Sequence, residues 1–251
     1  MKTKILSFTV LILMAFTLPL KKKTKIWLIG DSTVSKKEIK AYPETGWGMP
    51  FSCFFDSTIE VDNRAKNGRS TKSFIEEGLW QPVLDNLMEG DYVFIQFGHN
   101  DEGKEKIGRY TTPDEYKSNL LKYVKESRSK KAIPVLITPV ARRTFDDKGM
   151  IKESHPIYAD AVREVAKLNN VPLIDLDEKS KALFQELGPQ ASKWLFNYLE
   201  PNEHPNYPEG KTDNTHFSEL GARKMAELVL AEIKNLNLGL VNSITKPIDK
   251  K

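Results

Sequence analysis

The chain has 251 residues, with 38 Lys and Arg against 34 Asp and Glu; the resulting net charge of +4 is too small to point to a nucleic-acid partner. At 39% hydrophobic and 29% charged residues it is neither a disordered chain nor a multi-span membrane protein, and its length suits one large domain with a well-covered core. A single cysteine, Cys53, excludes an internal disulfide framework and a cysteine-based zinc cluster; its setting in the apolar stretch from Met49 to Phe55 suggests a small buried hydrophobe.

The N-terminus reads as an export leader over residues 1–23. Lys2 and Lys4 precede an apolar run from Ile5 to Leu20, interrupted by Ser7, Thr9, Thr17 and Pro19 and closed by Lys21 to Lys23. The run is shorter than the roughly 20 residues of a bilayer span, so the mature form is expected to be secreted or periplasmic and to have no membrane span. No small-x-small cleavage site follows, which leaves both cleavage and retention as a tether open. Removing residues 1–23 takes out five lysines and no acid, turning +4 into −1, so the remainder, residues 24–251, is nearly neutral.

From Lys25 onward short apolar runs alternate with longer helical patterns, the signature of β-α units around a parallel sheet. Strands are expected at Ile26–Ile29, Ile59–Val61, Tyr92–Phe97, Ile133–Thr138 and Leu173–Leu176. Helices are expected at Thr71–Met88, Pro113–Ser129, Ile157–Asn169, Glu178–Leu187 and Ser218–Asn235, the last opening on Ser218 and Glu219. The connection from Gly188 to Thr215, rich in Pro, Asn and aromatics, is long for a compact domain and suits a lid or a binding wall.

Ligands of an open parallel α/β sheet bind at the carboxyl ends of its strands. Gly30-Asp31-Ser32-Thr33 follows the first strand, Asn63 and Asn67-Gly68-Arg69-Ser70 the second, Gly98-His99-Asn100-Asp101 the third, and Pro139 through Arg142-Arg143 the fourth. Asp213-Asn214-Thr215-His216 precedes the last helix. These segments hold the parts of an acyl-transfer site: a hydroxyl, a base, an acceptor to orient the base, and N–H donors. A serine needs an imidazole to take its proton, and the imidazole needs a partner on its other nitrogen; Asp213 and His216 are close enough in a turn for that pairing. Gly68 offers a backbone N–H with no side chain in the way, and Asn100 a side-chain donor. Taken singly these residues have blander readings: Ser32 as a helix cap, Gly68 and Asn100 as turn formers, His216 as a surface histidine. Asp31 is an alternative base, although adjacent side chains point apart and it suits fixing the loop. A zinc site from His204, Asp213 and His216 matches no ligand spacing.

These blocks, in this order, resemble the SGNH (GDSL-like) hydrolase superfamily over nearly all of the chain after the leader. Gly30-Asp31-Ser32-Thr33-Val34, Gly46-Trp47-Gly48, Gly68-Arg69-Ser70 and Asp213-Asn214-Thr215-His216-Phe217-Ser218 with Gly221-Ala222 are similar to the rhamnogalacturonan acetylesterases. The resemblance implies an α/β fold, a flavodoxin-like three-layer α/β/α sandwich on a five-stranded parallel sheet, with no metal and no cofactor. It implies Ser32 as nucleophile, His216 as base, Asp213 as its partner, and the Ser32 and Gly68 N–H groups with the Asn100 side chain as oxyanion hole. The implied activity is a serine esterase that removes acetyl groups from a pectic polysaccharide through an acyl-enzyme. The expected partner is an acetylated acidic polysaccharide or oligosaccharide, met by a monomer. Arg142 and Arg143 suit a carboxylate-binding fork, with a surface or structural ion pair as the alternative. Trp47, with packing as its alternative, Arg69 and His99 complete the candidate substrate-binding residues, His99 also as a residue that orders the loop beside Asn100. Phe196 and Tyr198 read as packing. The rival readings are the same machinery acting on acetylated xylan, sialic acid, a lipid or a thioester, a carbohydrate-binding protein on a degenerate hydrolase fold, and a tethered adhesin.

Overall fold

The computed structural model describes residues 23–245; the expected leader, Lys23 apart, lies outside them. All five expected strands are present: β1 (Thr24–Gly30), β2 (Ile59–Asn63), β3 (Tyr92–Gln96), β4 (Ile133–Ile137) and β5 (Leu173–Ile174). They pair in parallel in the order β2-β1-β3-β4-β5. The helices are α1 (Gly48–Phe51), α2 (Thr71–Glu76), α3 (Gln81–Asn86), α4 (Pro113–Ser129), α5 (Pro156–Leu168), α6 (Leu176–Ala191) and α7 (Glu219–Asn235). A second, antiparallel pair is formed by β6 (Phe196–Leu199) and β7 (Lys211–Phe217).

Alternation along the strands sorts the core into two layers. Ile26, Leu28, Phe94 and Val135 pack with residues of α1, α6 and α7, while Trp27, Ile29, Val93, Ile95 and Leu136 pack with residues of α2, α3, α4 and α5. Both faces of the sheet are therefore covered, which is why β3 is buried at every position. The result is the three-layer α/β/α sandwich.

The differences from expectation have local causes. The single helix expected from Thr71 to Met88 is two, because Gly78 takes φ +71° and ends α2, and Pro82 restarts the chain in the first turn of α3. β5 stops at Ile174 because Asp175 turns to cap α6, its carboxylate accepting the Glu178 N–H at 3.3 Å. α4 keeps its expected span, opened by a capping box between Thr112 and Glu115, and Ser218 caps α7. Within the long connection, β6 and β7 form a hairpin rather than a lid. Cys53 is exposed, not buried, since the apolar anchors of its stretch are Phe51 and Phe55.

β1 has β2 on one side and β3 on the other, so the chain changes direction across the sheet there. The crevice at the carboxyl ends of β1 and β3 is the topological switch point, and the loops after β1, β2 and β3 meet at it.

Candidate active site

Ser32 follows β1 directly, and its Oγ lies 2.9 Å from His216 Nε2 across 184 positions of sequence. His216 Nδ1 lies 2.9 Å from Asp213 Oδ2, and the other Asp213 oxygen accepts the N–H groups of Thr215 at 2.8 Å and His216 at 2.9 Å. Asp213 and His216 lie on a strand rather than in the turn expected from sequence, yet they still pair. Phe196 faces Phe217 and Tyr198 faces Thr212, so two steps of β6 span five of β7 and the segment between bulges out. Burial works to raise the Asp213 carboxyl. Hydrogen bonding to the His216 ring, the attraction of its charge and the two backbone N–H groups outweigh that and hold it well below the usual carboxylate range.

Asp31 is fully buried, and its Oδ1 accepts from Thr33 N at 2.9 Å and Thr33 Oγ1 at 2.8 Å. It braces the loop and is turned away from any role as base; burial raises its carboxyl despite those bonds. The brace continues inward, with Gln96 Nε2 donating to Thr33 Oγ1 at 2.7 Å and Trp47 Nε1 donating to Gln96 Oε1 at 2.8 Å. The sequence reading overlooks Gln96, although a polar residue ending a wholly buried strand was the available signal. Gly46 lets this segment lie on the serine loop: a Cβ there would stand 2.1 Å from the Ser35 carbonyl oxygen.

Gly68 adopts φ +73°, a conformation that disfavours any side chain, in the turn after β2. Among the described residues, neither its N–H nor that of Ser32 donates to a protein acceptor. Asn100 is 6% exposed, and its Nδ2 spends one N–H on the Arg69 carbonyl at 3.1 Å, leaving the second. Lys37, also overlooked in the sequence, where nothing sets it apart from Lys36 and Lys40, reaches back to the Ser32 carbonyl oxygen at 2.6 Å.

Three of the candidate substrate-binding residues are buried. Trp47 is fully buried in the core layer beside α1, its indole N–H committed to Gln96. His99 is 3% exposed and packs edge-on against His155, with ring centroids 4.3 Å apart. Burial, with nearby His155 and Arg142, keeps its imidazole neutral far below its usual pKa. Arg143 is 7% exposed, and its guanidinium is consumed by Ser192 Oγ at 2.9 Å, Tyr198 OH at 3.0 Å, Asn214 Oδ1 at 2.8 Å and the Pro189 carbonyl. It braces the β6–β7 hairpin. Arg142 and Arg69 keep partly exposed side chains, Arg142 against Glu102 at 3.0 Å and Thr215 Oγ1 at 3.3 Å, and Arg69 against Glu77 at 2.7 Å. Phe196 is buried and Tyr198 donates to Asn214 Oδ1 at 2.5 Å, so both pack as expected. Both ring nitrogens of His216 are hydrogen-bonded, one to Ser32 Oγ and the other to Asp213 Oδ2.

The model of the GDSL-like lipase/acylhydrolase family matches residues 28–224, which run from β1 into α7 and include every residue of this arrangement. The chain belongs to that family. Rhamnogalacturonan acetylesterase RhgT of Bacillus subtilis is 44% identical over 221 residues, covering 88% of this chain and 94% of that protein. The probable rhamnogalacturonan acetylesterase YesY of the same organism is 42% identical over 222 residues, covering 88% and 97%. The crystal structure of YxiM from Bacillus subtilis superposes with a TM-score of 0.75 at 25% identity, over 87% of this chain and 58% of that one. The three-layer sandwich is thus shared with that protein over most of this chain.

Proposed function

We propose that this family member is a serine esterase that removes O-acetyl groups from a rhamnogalacturonan-like pectic polysaccharide. The observation that carries the reading is the unbroken line Ser32 Oγ, His216, Asp213, with 2.9 Å at each step, together with a Ser32 N–H that has no protein acceptor among the described residues. The names of the relatives above give the substrate class.

In this mechanism His216 Nε2 takes the Ser32 proton as Oγ attacks the acetyl carbonyl carbon, and Asp213 stays ionised to hold the imidazolium. The carbonyl oxygen becomes an anion facing the N–H groups of Ser32 and Gly68 and the free N–H of Asn100. Collapse expels the sugar oxygen, which receives the proton from His216, and leaves acetyl on Ser32. Water, deprotonated by His216, then attacks the acyl-enzyme; acetate leaves and Ser32 regains its proton. No residue other than these need change protonation state. Arg142, at the rim beside Thr215, is the candidate contact for a uronate carboxylate. Residues 1–23 are assigned to export, and no described helix is long and apolar enough to cross a membrane.

Ser32→Ala should fold as the parent does and release no acetate from acetylated rhamnogalacturonan or from an activated acetyl ester. Full residual activity would refute the assignment, and release from acetylated xylan in preference to the pectic polymer would move the substrate class.

A further inference from the structure

The three donors of the proposed oxyanion hole come from three separate loops, after β1, β2 and β3, and a hole so built needs something to fix the loops to one another. We infer that Lys37 is a positioning residue that ties the Ser32 loop to the Gly68 turn and so sets the oxyanion hole; the inference rests on the esterase reading above. Its side chain is 2% exposed. The ammonium has three N–H bonds and the structure gives each an acceptor: the Ser32 carbonyl oxygen at 2.6 Å, Asn67 Oδ1 at 2.8 Å and Glu44 Oε1 at 2.7 Å.

Two of these acceptors decide the role. Ser32 carries one oxyanion donor on its own backbone, and Asn67 precedes the second, Gly68. On the far side of Gly68 the next residue, Arg69, offers its carbonyl to Asn100, the third donor. Gly68 is therefore held between two tethers, one to the first donor through Lys37 and one to the third through Asn100. Ser35 reinforces the first tether by donating to the same Asn67 oxygen at 2.5 Å. Glu44 neutralises the ammonium from the opposite side, and its side chain is 13% exposed. A structural ion pair needs only Glu44. Two further bonds, one to each of two donor-bearing loops, are what a preorganised anion site needs, since displacement of a reacting geometry by about 1 Å lowers rates by up to about 10².

The test measures kcat and KM for an acetyl ester, with inhibition by an arylboronic acid, whose adduct with the serine carries the tetrahedral negative charge. The variants are Lys37→Met with Glu44→Gln, which removes the pair without stranding a buried carboxylate, and Asn67→Ala, which cuts the tether and leaves the pair intact. Both are expected to lower kcat about tenfold to hundredfold, to leave KM within about threefold, and to weaken the boronic acid by the same factor as kcat. Should the double variant fail to fold, the exposed Asn67 site carries the test alone. A folded Asn67→Ala protein with wild-type kcat and boronic acid affinity overturns the role of Lys37, as does a loss confined to melting temperature. Wild type and Ser32→Ala run in parallel: activity in the first and none in the second keeps the esterase reading standing whatever Lys37 does, and an inert wild type on every acetyl ester overturns both.

Discussion

Asn100 presents two N–H bonds from one nitrogen, and among the described residues one of them has a protein acceptor. That division explains why an asparagine, rather than a serine or a backbone amide, suits the end of β3: one bond fixes the side chain to Arg69 and the other remains directed by that fixation. Charge develops on the substrate oxygen only in the transition state, so the free N–H contributes little to ground-state binding. Asn100→Ala should therefore lower kcat by about 10²–10³ while KM moves by much less. Steady-state kinetics on one soluble acetyl ester settles the point: a raised KM at constant kcat would make Asn100 a ground-state contact.

At the scale of elements, the β6–β7 hairpin carries the base and its acceptor, and Arg143 fastens that hairpin to the body. Arg143 N donates to the Asn214 carbonyl at 2.9 Å, and its guanidinium reaches the Asn214 side chain, Tyr198, Ser192 and Pro189. Lysine presents its N–H bonds from one nitrogen and cannot reproduce that planar fork. Arg143→Lys is expected to lower the melting temperature and to reduce kcat at least tenfold, because Asp213 and His216 flank the segment it holds. The ratio of kcat/KM on acidic and neutral acetylated substrates should stay the same; a loss confined to the acidic substrate would return Arg143 to the substrate-binding role expected of it from sequence. The misplacement shows what the amino-acid order conveys. Strand positions, the helix at Pro113–Ser129 and the order of Ser32, Gly68, Asn100, Asp213 and His216 were legible, since periodicity and the strand-end rule depend on short windows of sequence. Whether Arg143, Trp47 or His99 faces solvent depends on contacts with residues 46 to 71 positions away for Arg143, 49 for Trp47 and 56 for His99. No local pattern carries that. The bulge in β7 was hidden for the same reason, as it exists only relative to β6.

Across the whole molecule, the buried and half-buried carboxyls divide by the company they keep. Glu102 and Asp175, like Asp213, sit below the ordinary range: burial would raise them, but His155 and Arg142 outweigh it at Glu102, and Arg163 at Asp175. Each contributes stability above its unfolded pKa that is lost as pH falls through the lower folded value. Asp101 goes the other way, pushed up to about 7 by burial in spite of bonds from Thr71 and Thr111, with Oδ2 lacking a partner among the described residues. Its folded form binds the proton more tightly than the unfolded chain does. The contribution of Asp101 to stability is therefore greatest below the unfolded value of 3.8 and falls as pH rises to about 7, beyond which its loss is complete. Holding this buried anion at pH 8 costs on the order of 4 kcal/mol. Asp101→Asn keeps the acceptor that serves Thr71 and Thr111 and removes the charge. Contributions from His99 and the depressed carboxyls are common to both proteins and cancel in the comparison. The melting temperature of Asp101→Asn minus that of the parent should rise steadily from pH 4 to pH 7 and level off by pH 8. A difference that does not change with pH would mean that Asp101 carries no such penalty, and that its loop after β3 is held by geometry alone.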